Sequence, residues 1–466
     1  MYRATAVWVG WPRCTVSGAA GGRGAGIVET MRIMVLFTRD LRVHDHPALW
    51  EACRTADDVV PSFVIDPDLM TRSPNRARFL SDSVIDLDRS MAHRGGRLII
   101  REGNAATEAA ALAADSGSDE VFLTSDASSY ARAREERLQE YLAPQGIRLR
   151  VFPGHSVVEP GDVHPQDKCG YRVFTPYWRS WSAYPRRPVL VAPKAVRVPE
   201  NVEGGRLPQP SRYTPTASTL PPGGEWAARR RVQRFISEEA PRYGVARNDL
   251  AGDATSRLSP YLRFGCVSAN ELVSMVGSID GSGEWIRQIA WRDFFQQLLS
   301  DEPSMANHSL RPGLREPVGL DEDLLDAWTS GRTGIPLVDA GMRQLVREGW
   351  MHNRARMVTA SFLTRTAGVP WQEGARVFAR HLVDADPANN AGNWQWVAGT
   401  GPTPGRNRPL NPIRQARRFD PTGTYVRRYV PELSGILDDR IFRPWADQEM
   451  LRSSGYLAPV LDVPGL

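Results

Sequence analysis

The chain has 466 residues, 41% of them hydrophobic and 24% charged. That is an ordinary soluble globular composition. It excludes wholesale disorder and a fibrous architecture, and the length leaves room for about two to four domains. Fifty-eight Lys plus Arg against 53 Asp plus Glu give a net charge of +5, which permits a polyanionic partner without demanding one; no run of about 18 uncharged apolar residues exists to span a membrane.

Residues 1–30 hold Gly and Ala runs without the apolar core of a signal peptide, and read as a disordered leader or as sequence upstream of the true start at Met31. From there short apolar runs predict buried parallel strands at Ile33–Phe37, Val59–Ile65, Arg97–Arg101 and Glu120–Leu123, with helices at Arg78–Arg94 and Ala131–Leu142 between them. Strands alternating with helices predict an α/β domain over 31–160, a doubly wound, Rossmann-like parallel sheet. The glycine fingerprint of dinucleotide dehydrogenases is missing after the first strand. Residues 161–225 are rich in Pro, Gly, Arg and Val without a sustained period, and read as a connector laid over the surface. An all-α domain is expected over 226–455, with helices at Trp226–Glu239, Ala269–Val276, Glu284–Leu299, Leu324–Ser330, Pro336–Glu348, His352–Thr366 and Trp371–Leu382. Cys14, Cys53, Cys169 and Cys266 stand far apart with no CxxC pair. Neither a disulfide framework nor a metal site is therefore expected, and a reducing cytoplasm is the simplest home.

Three stretches of the helical part carry chemistry. Residues 253–261, DATSRLSPY, gather Thr255, Ser256 and Ser259 around a helix start, where hydroxyls and free N–H groups make an anion site; an ordinary N-cap is the commoner use of Ser and Thr there. In WMHNRARM (350–357) Asn353 and Met357 are one helical turn apart and share a face, an amide beside a thioether that suits a flat ligand with hydrogen-bonding edges. Residues 384–396, DADPANNAGNWQW, crowd two acids, three amides and two indoles into thirteen positions, poor material for a plain core. Pro387 and Gly392 suggest an irregular, shaped backbone, and buried Asp384 and Asp386 need partners, for which Arg356 is the candidate.

Together with WIRQIAWRDFF at 285–295, these segments resemble the cryptochrome/photolyase family. The resemblance runs from about Met31 to Glu432 and includes LFTRDLRVHDHPAL at 36–49, TSRLSPYLRFGCVS at 255–268, GRTGIPLVDAGMRQL at 331–345, WMHNRARMVTASFL at 350–363 and NPIRQARRFDP at 411–421. It implies FAD folded into a U inside the helical domain. Tyr243, Thr255, Ser256, Leu258 and Ser259 would hold its phosphates, and Trp285 and Arg292 would lie along the ribityl and adenine side. Asn353, Arg356, Asp384, Asp386 and Asn390 would line the isoalloxazine, with Asn390 facing N5. On the lesion side the family implies a flipped pyrimidine dimer walled by Trp291 and Trp396, with Met357, Asn353 and Gln288 beside it. Arg247, Arg354 and Arg408 would meet phosphates of UV-damaged DNA, single- or double-stranded. The implied activity is light-driven repair of cyclobutane pyrimidine dimers by electron transfer from reduced FAD, in a monomer. An antenna chromophore, a deazaflavin or methenyltetrahydrofolate, is expected in the α/β domain.

Three departures from the family pattern stand out. Gln288 replaces the Glu of many cyclobutane photolyases and cannot supply a proton. Gln is also found there in (6-4) photolyases and animal cryptochromes, but Asn353 and Met357 replace the histidine pair that (6-4) repair uses. Trp394 and Trp371 match the first two members of the family's electron-transfer chain, yet no Trp, Tyr or Phe occurs from Arg311 through Ala327 where the outer member belongs, so photoreduction by that route is expected to be weak. Thr403 stands where relatives carry Asp. The competing reading is a signalling cryptochrome without repair activity. Gln288 favours it; Asn390, where plant cryptochromes carry an acid, opposes it.

Overall fold

A computed structural model describes residues 30–165, 170–311, 320–402 and 409–461. Five strands, β1 (Arg32–Phe37), β2 (Asp58–Ile65), β3 (Ile99–Glu102), β4 (Glu120–Thr124) and β5 (Arg148–Phe152), form one parallel sheet in the order β3-β2-β1-β4-β5. This is the doubly wound topology that the alternating pattern predicts. The side chains of β1 alternate between two cores. Met34 and Leu36 pack with Ala109, Ala113 and Leu138 of the covering helices, while Ile33, Val35 and Phe37 join the core that continues into the helical part. Pro61 is tolerated inside β2 because the ladder to β3 begins one residue later, at Ser62 opposite Ile99.

β5 escapes the sequence reading because Arg148 and Arg150 interrupt its apolar run, as an edge strand permits. The connector reading of 161–225 also needs correction: Phe174–Ala183 is a helix, α1. Its Phe174, Tyr177, Trp178 and Trp181 fall at i, i+3, i+4 and i+7, a stripe hidden among prolines and arginines, and Phe174, Tyr177 and Trp181 are buried. The remainder does lie along its neighbours: Arg97 donates to the carbonyls of Pro199 and Val202, and Asn75 accepts from the Ala217 N–H.

The helical part contains α2 (Gly283–Asp301), α3 (Asn353–Ser361), α4 (Trp371–His381) and α5 (Pro387–Ala398) among its elements. The expected irregularity at Pro387 and Gly392 is not observed. Pro387 opens α5 at a position where its missing N–H costs nothing, and Gly392 sits inside a regular helix. Its role is steric, since a Cβ there would lie 2.2 Å from Cδ1 of Phe295 on α2. No helix among the described residues is long and apolar enough to cross a membrane. Residues 1–29, expected to be a leader or sequence upstream of the true start, and the positions Thr403 and Arg408 lie outside the described residues.

Candidate functional site

α5 packs on both α3 and α4, and the first turns of α3 and α5 supply much of the chemistry. His352 caps α3, its Nδ1 accepting from the Arg354 N–H at 3.1 Å. Burial, then the charges of Arg354, Arg356 and Arg257, push this imidazole down to about 4, so it is neutral at pH 7. Asn353 and Met357 stand one turn apart as predicted, Nδ2 to Sδ at 3.9 Å.

Arg356 reaches from α3 to Asp384 in a two-pronged pair, Nη1 to Oδ1 at 3.1 Å and Nη2 to Oδ2 at 2.8 Å. Ser259 donates to the same carboxylate at 2.6 Å and receives the Trp350 indole N–H at 3.3 Å. Its hydroxyl proton is therefore given to Asp384. Asp386 has a different cation from the one expected: its partner is Arg39, from the loop after β1. Its Oδ1 also caps α5, accepting from the N–H of Asn389 at 2.9 Å and from Gln296 Nε2 at 3.0 Å. Burial works against this charge, but Arg39, Arg263 and Arg292 hold the carboxyl well below the usual range.

Asn390 follows on α5. Its Nδ2 donates to the Ala375 carbonyl at 3.0 Å. A carbonyl can only accept, so the amide nitrogen must face it and Oδ1 points the other way. Trp394, one turn on, is buried against Phe378 (ring centres 4.9 Å apart) and Trp328 (6.1 Å).

These side chains border a cavity of about 670 Å³, mouth included. Asn353, Arg356, Met357, Asp384, Asp386, Asn390, Trp394 and Trp396 all line it, eight residues that the sequence singles out. Ala360, Phe378, Leu382, Ala385, Asn389, Asn393 and Val397 line it too and were missed. Asn389 and Asn393 carried a signal, being amides at i and i+4 in a motif already marked.

The other expected residues lie outside this lining. Tyr243 and Trp285 form an aromatic cluster through Phe235. Leu258 is buried, and Thr255 and Ser256 lie in the loop that leads to Ser259. Gln288 donates to the Glu284 carbonyl of its own helix at 3.3 Å. Arg292 bonds His155 at 2.9 Å and Asp293 at 3.1 Å. Trp291 is not an open wall on both faces, because the Phe174 ring of α1 stacks on it with centres 3.7 Å apart. Arg247 is paired with Glu284 at 2.9 Å, and Arg354 donates to Asn248 at 2.8 Å. Trp371 donates its indole N–H to Ser309 at 3.0 Å.

Two features fit a bound dinucleotide. The Trp394 Nε1 and Thr255 Oγ1 atoms are buried without a hydrogen-bond partner, although a buried donor or hydroxyl is normally satisfied. The cavity also offers an amide oxygen and a neutralised ion pair beside apolar walls, which suits a flat heteroaromatic ring.

A second cavity of about 770 Å³, mouth included, opens at the carboxyl ends of β4 and β5, lined by Asp126, Arg132, Glu135, His155, Glu159 and Gln296 among others. Burial raises the Glu159 carboxyl to about 7, although Gly154 N–H at 2.9 Å and Ser125 Oγ at 3.2 Å hydrogen-bond it. An unfolded Glu ionises near 4.5 and the folded one only at about 7, so this residue costs stability as pH rises through that window. Glu159→Gln, which cannot ionise, is expected to gain thermal stability over the parent at pH 8 but not at pH 5. An equal difference at both pH values, read from melting midpoints, would contradict the shift.

Residues 33–197 match the model described as DNA photolyase, and residues 285–464 match the FAD binding domain of DNA photolyase. The chain is 47% identical over 439 residues to a deoxyribodipyrimidine photo-lyase of Streptomyces griseus, covering 92% of this chain and 96% of that protein. It superposes with a TM-score of 0.87 on a bacterial class III photolyase from Agrobacterium tumefaciens, at 31% identity and with 94% and 96% of the two chains covered. An archaeal photolyase from Sulfolobus tokodaii with two FAD molecules matches at a TM-score of 0.82, 28% identity and 93% and 96% coverage.

Proposed function

The chain belongs to the photolyase/cryptochrome family, and from that premise we propose that it repairs cyclobutane pyrimidine dimers in DNA under blue or near-ultraviolet light. The observation that carries this reading is the cavity where Asn390, Trp394 and the Arg356–Asp384 pair meet Asn353, Met357 and Trp396. FAD would be held there by these residues, with Thr255 and the loop to Ser259 toward its phosphates. Bound and reduced, FAD supplies light absorption and the electron that opens the two carbon–carbon bonds of the dimer, and the electron then returns.

The protein's part is to hold and exclude. Asn390 Oδ1 is an acceptor fixed by Ala375, suited to meet an N–H on the flavin edge. The Asp384 carboxylate cancels the Arg356 charge, so that the cavity carries a dipole rather than a net charge. Trp396 and Met357 offer a flat and a soft apolar surface to an unstacked dimer. Flipping a nucleotide costs a few kcal/mol, and least at a damaged step, where stacking is already impaired. Arg354 and Arg247 would meet the DNA backbone, Arg247 by exchanging Glu284 for a phosphate. This contact gives affinity without sequence reading and weakens with salt.

The test is a purified, reduced, FAD-loaded protein mixed with a dimer-containing thymine oligonucleotide, illuminated, and followed by recovery of absorbance in the thymine band. Recovery in light and none in the dark is expected. Bound FAD without recovery would favour the signalling reading.

The second cavity is proposed as the antenna seat, for a deazaflavin or methenyltetrahydrofolate. Light-driven reduction of oxidised, FAD-loaded protein is expected to be slow. Trp394 has Trp328 and Phe378 as ring neighbours, and Trp328 is fully buried with its indole N–H donated to the Thr359 carbonyl at 3.0 Å. An electron leaving Trp328 is not readily replaced from solvent, and a backbone carbonyl is too weak a base to take its proton. Illumination with a mild reductant tests this. Fast reduction would refute it, and its loss or survival in Trp394→Phe would show whether the electron passes through Trp394.

A further inference from the structure

Arg39 lies 347 residues from Asp386, yet one guanidinium joins the walls of both cavities. Its Nη2 pairs with Asp386, which lines the first cavity and caps α5 one turn before Asn390. Its Nη1 donates at 2.9 Å to Asp126, which lines the second cavity, and its Nε donates to the Arg263 carbonyl at 3.1 Å. Gln296 makes a shorter bridge, lining the second cavity while donating to Asp386. The loop carrying Arg39 is itself fixed, because the buried Asp40 accepts from the Thr38 N–H at 2.6 Å and Thr124 Oγ1 at 2.6 Å. Other charges face the same spot. Arg263 and Arg292 act on Asp386, and His155 is kept neutral by burial and by Arg292 and Arg39.

An N-cap carboxylate sets where a helix begins and how its first turn is oriented. Asp386 is that carboxylate for α5; one of its partners, Gln296, lines the other cavity, and a second, Arg39, is bonded to Asp126 of that lining. We propose that Arg39 is a positioning residue: it fixes the Asn390 edge of the first cavity through Asp386, and Asp126 makes that edge answer to the second cavity. This rests on the reading that the first cavity holds FAD.

The test uses FAD-loaded protein and measures the FAD dissociation constant and the fine structure of the bound flavin's absorption band, with the melting midpoint as a check on folding. Arg39→Gln is expected to weaken FAD binding about tenfold, within the range of ordinary coupling between sites, and to blur the band. Asp126→Asn, a change on the far cavity wall, should shift both readouts in the same direction by less. The double variant should match Arg39→Gln alone, since both act through one link. Arg39→Lys restores charge but not the three-way fork, and is expected to recover folding without the band shape. Glu238→Gln, an exposed carboxylate paired with Arg234 and outside the lining of both cavities, should leave both readouts unchanged. Parental affinity and band shape in Asp126→Asn, or strictly additive losses in the double variant, would overturn the link. Should Arg39→Gln fail to fold, the Asp126→Asn comparison still decides. A parent protein that takes up no FAD would instead overturn the reading of the cavity.

Discussion

Asp384→Ala is expected to leave the protein without flavin and to destabilise it by about 3 kcal/mol, near the lower end for breaking a buried ion pair. The carboxylate is 3% exposed, whereas Arg356 keeps about a quarter of its side chain in water, which moderates the penalty for stranding it. Three donors lose their acceptor at once: both Arg356 prongs and the Ser259 hydroxyl. Among the described residues Arg356 keeps its Nε bond to the Met351 carbonyl at 2.8 Å and no carboxylate partner, so its charge turns into the cavity uncompensated. Asp384→Asn separates charge from shape. It preserves an acceptor for Ser259 and one prong but leaves the guanidinium unneutralised, so its stability should fall between the two while its flavin content stays low. Denaturant midpoints and the ratio of flavin to protein absorbance after gel filtration measure both effects. An alanine variant within about 0.5 kcal/mol of the parent, a change typical of an inert surface site, and retaining its flavin would show that the pair does not support the cavity.

Legibility in the sequence followed how local the deciding interaction is. β1, β2 and β4 are continuous apolar runs because both faces of their sheet are covered, and such runs can be read directly. β3 has only Ile99 and Ile100 as apolar residues, and its observed bounds are shifted by one to two positions from those predicted. β5 needed a neighbour to be recognised, since an edge strand with two arginines has no pattern of its own. The Asn353/Met357 face was legible from helical spacing, and the Arg356–Asp384 pair from a buried acid's need for a cation. The partner of Asp386 was not, because nothing in the sequence links a loop after β1 to a helix cap near residue 386. The same holds for Trp291. Its covered face depends on α1, and the aromatic stripe of α1 was obscured by the prolines and arginines around it.

Gly374→Ala pits two effects of opposite sign against each other. In the middle of a helix, alanine is favoured over glycine by about 1 kcal/mol, so propensity alone predicts a more stable protein. Gly374 is inside α4, where that gain would apply. A Cβ there, however, would lie 2.1 Å from Cη2 and 2.5 Å from Cζ3 of Trp394, with Leu363 Cδ2 at 2.7 Å beside them. On the sides away from the cavity the indole has no room to retreat, because Phe378 and Trp328 meet it edge-on there. Relief requires either that α4 and α5 separate or that Trp394 swings toward the cavity it lines. Overpacking a filled core costs about 1–3 kcal/mol, and the closeness of these contacts puts Gly374→Ala toward the upper end, so contact outweighs propensity and the variant should be less stable than the parent by up to about 2 kcal/mol. Flavin content should fall with it, as the displaced indole takes up cavity volume. Gly283→Ala provides the contrast: it sits in the first turn of α2 with nothing within 4 Å of a Cβ, so propensity acts unopposed and stability should hold or rise slightly. Denaturant unfolding of the two variants side by side decides the matter. Gly374→Ala as stable as Gly283→Ala would mean that the helices give way freely, and that the tight approach of α4 to Trp394 does not shape the cavity.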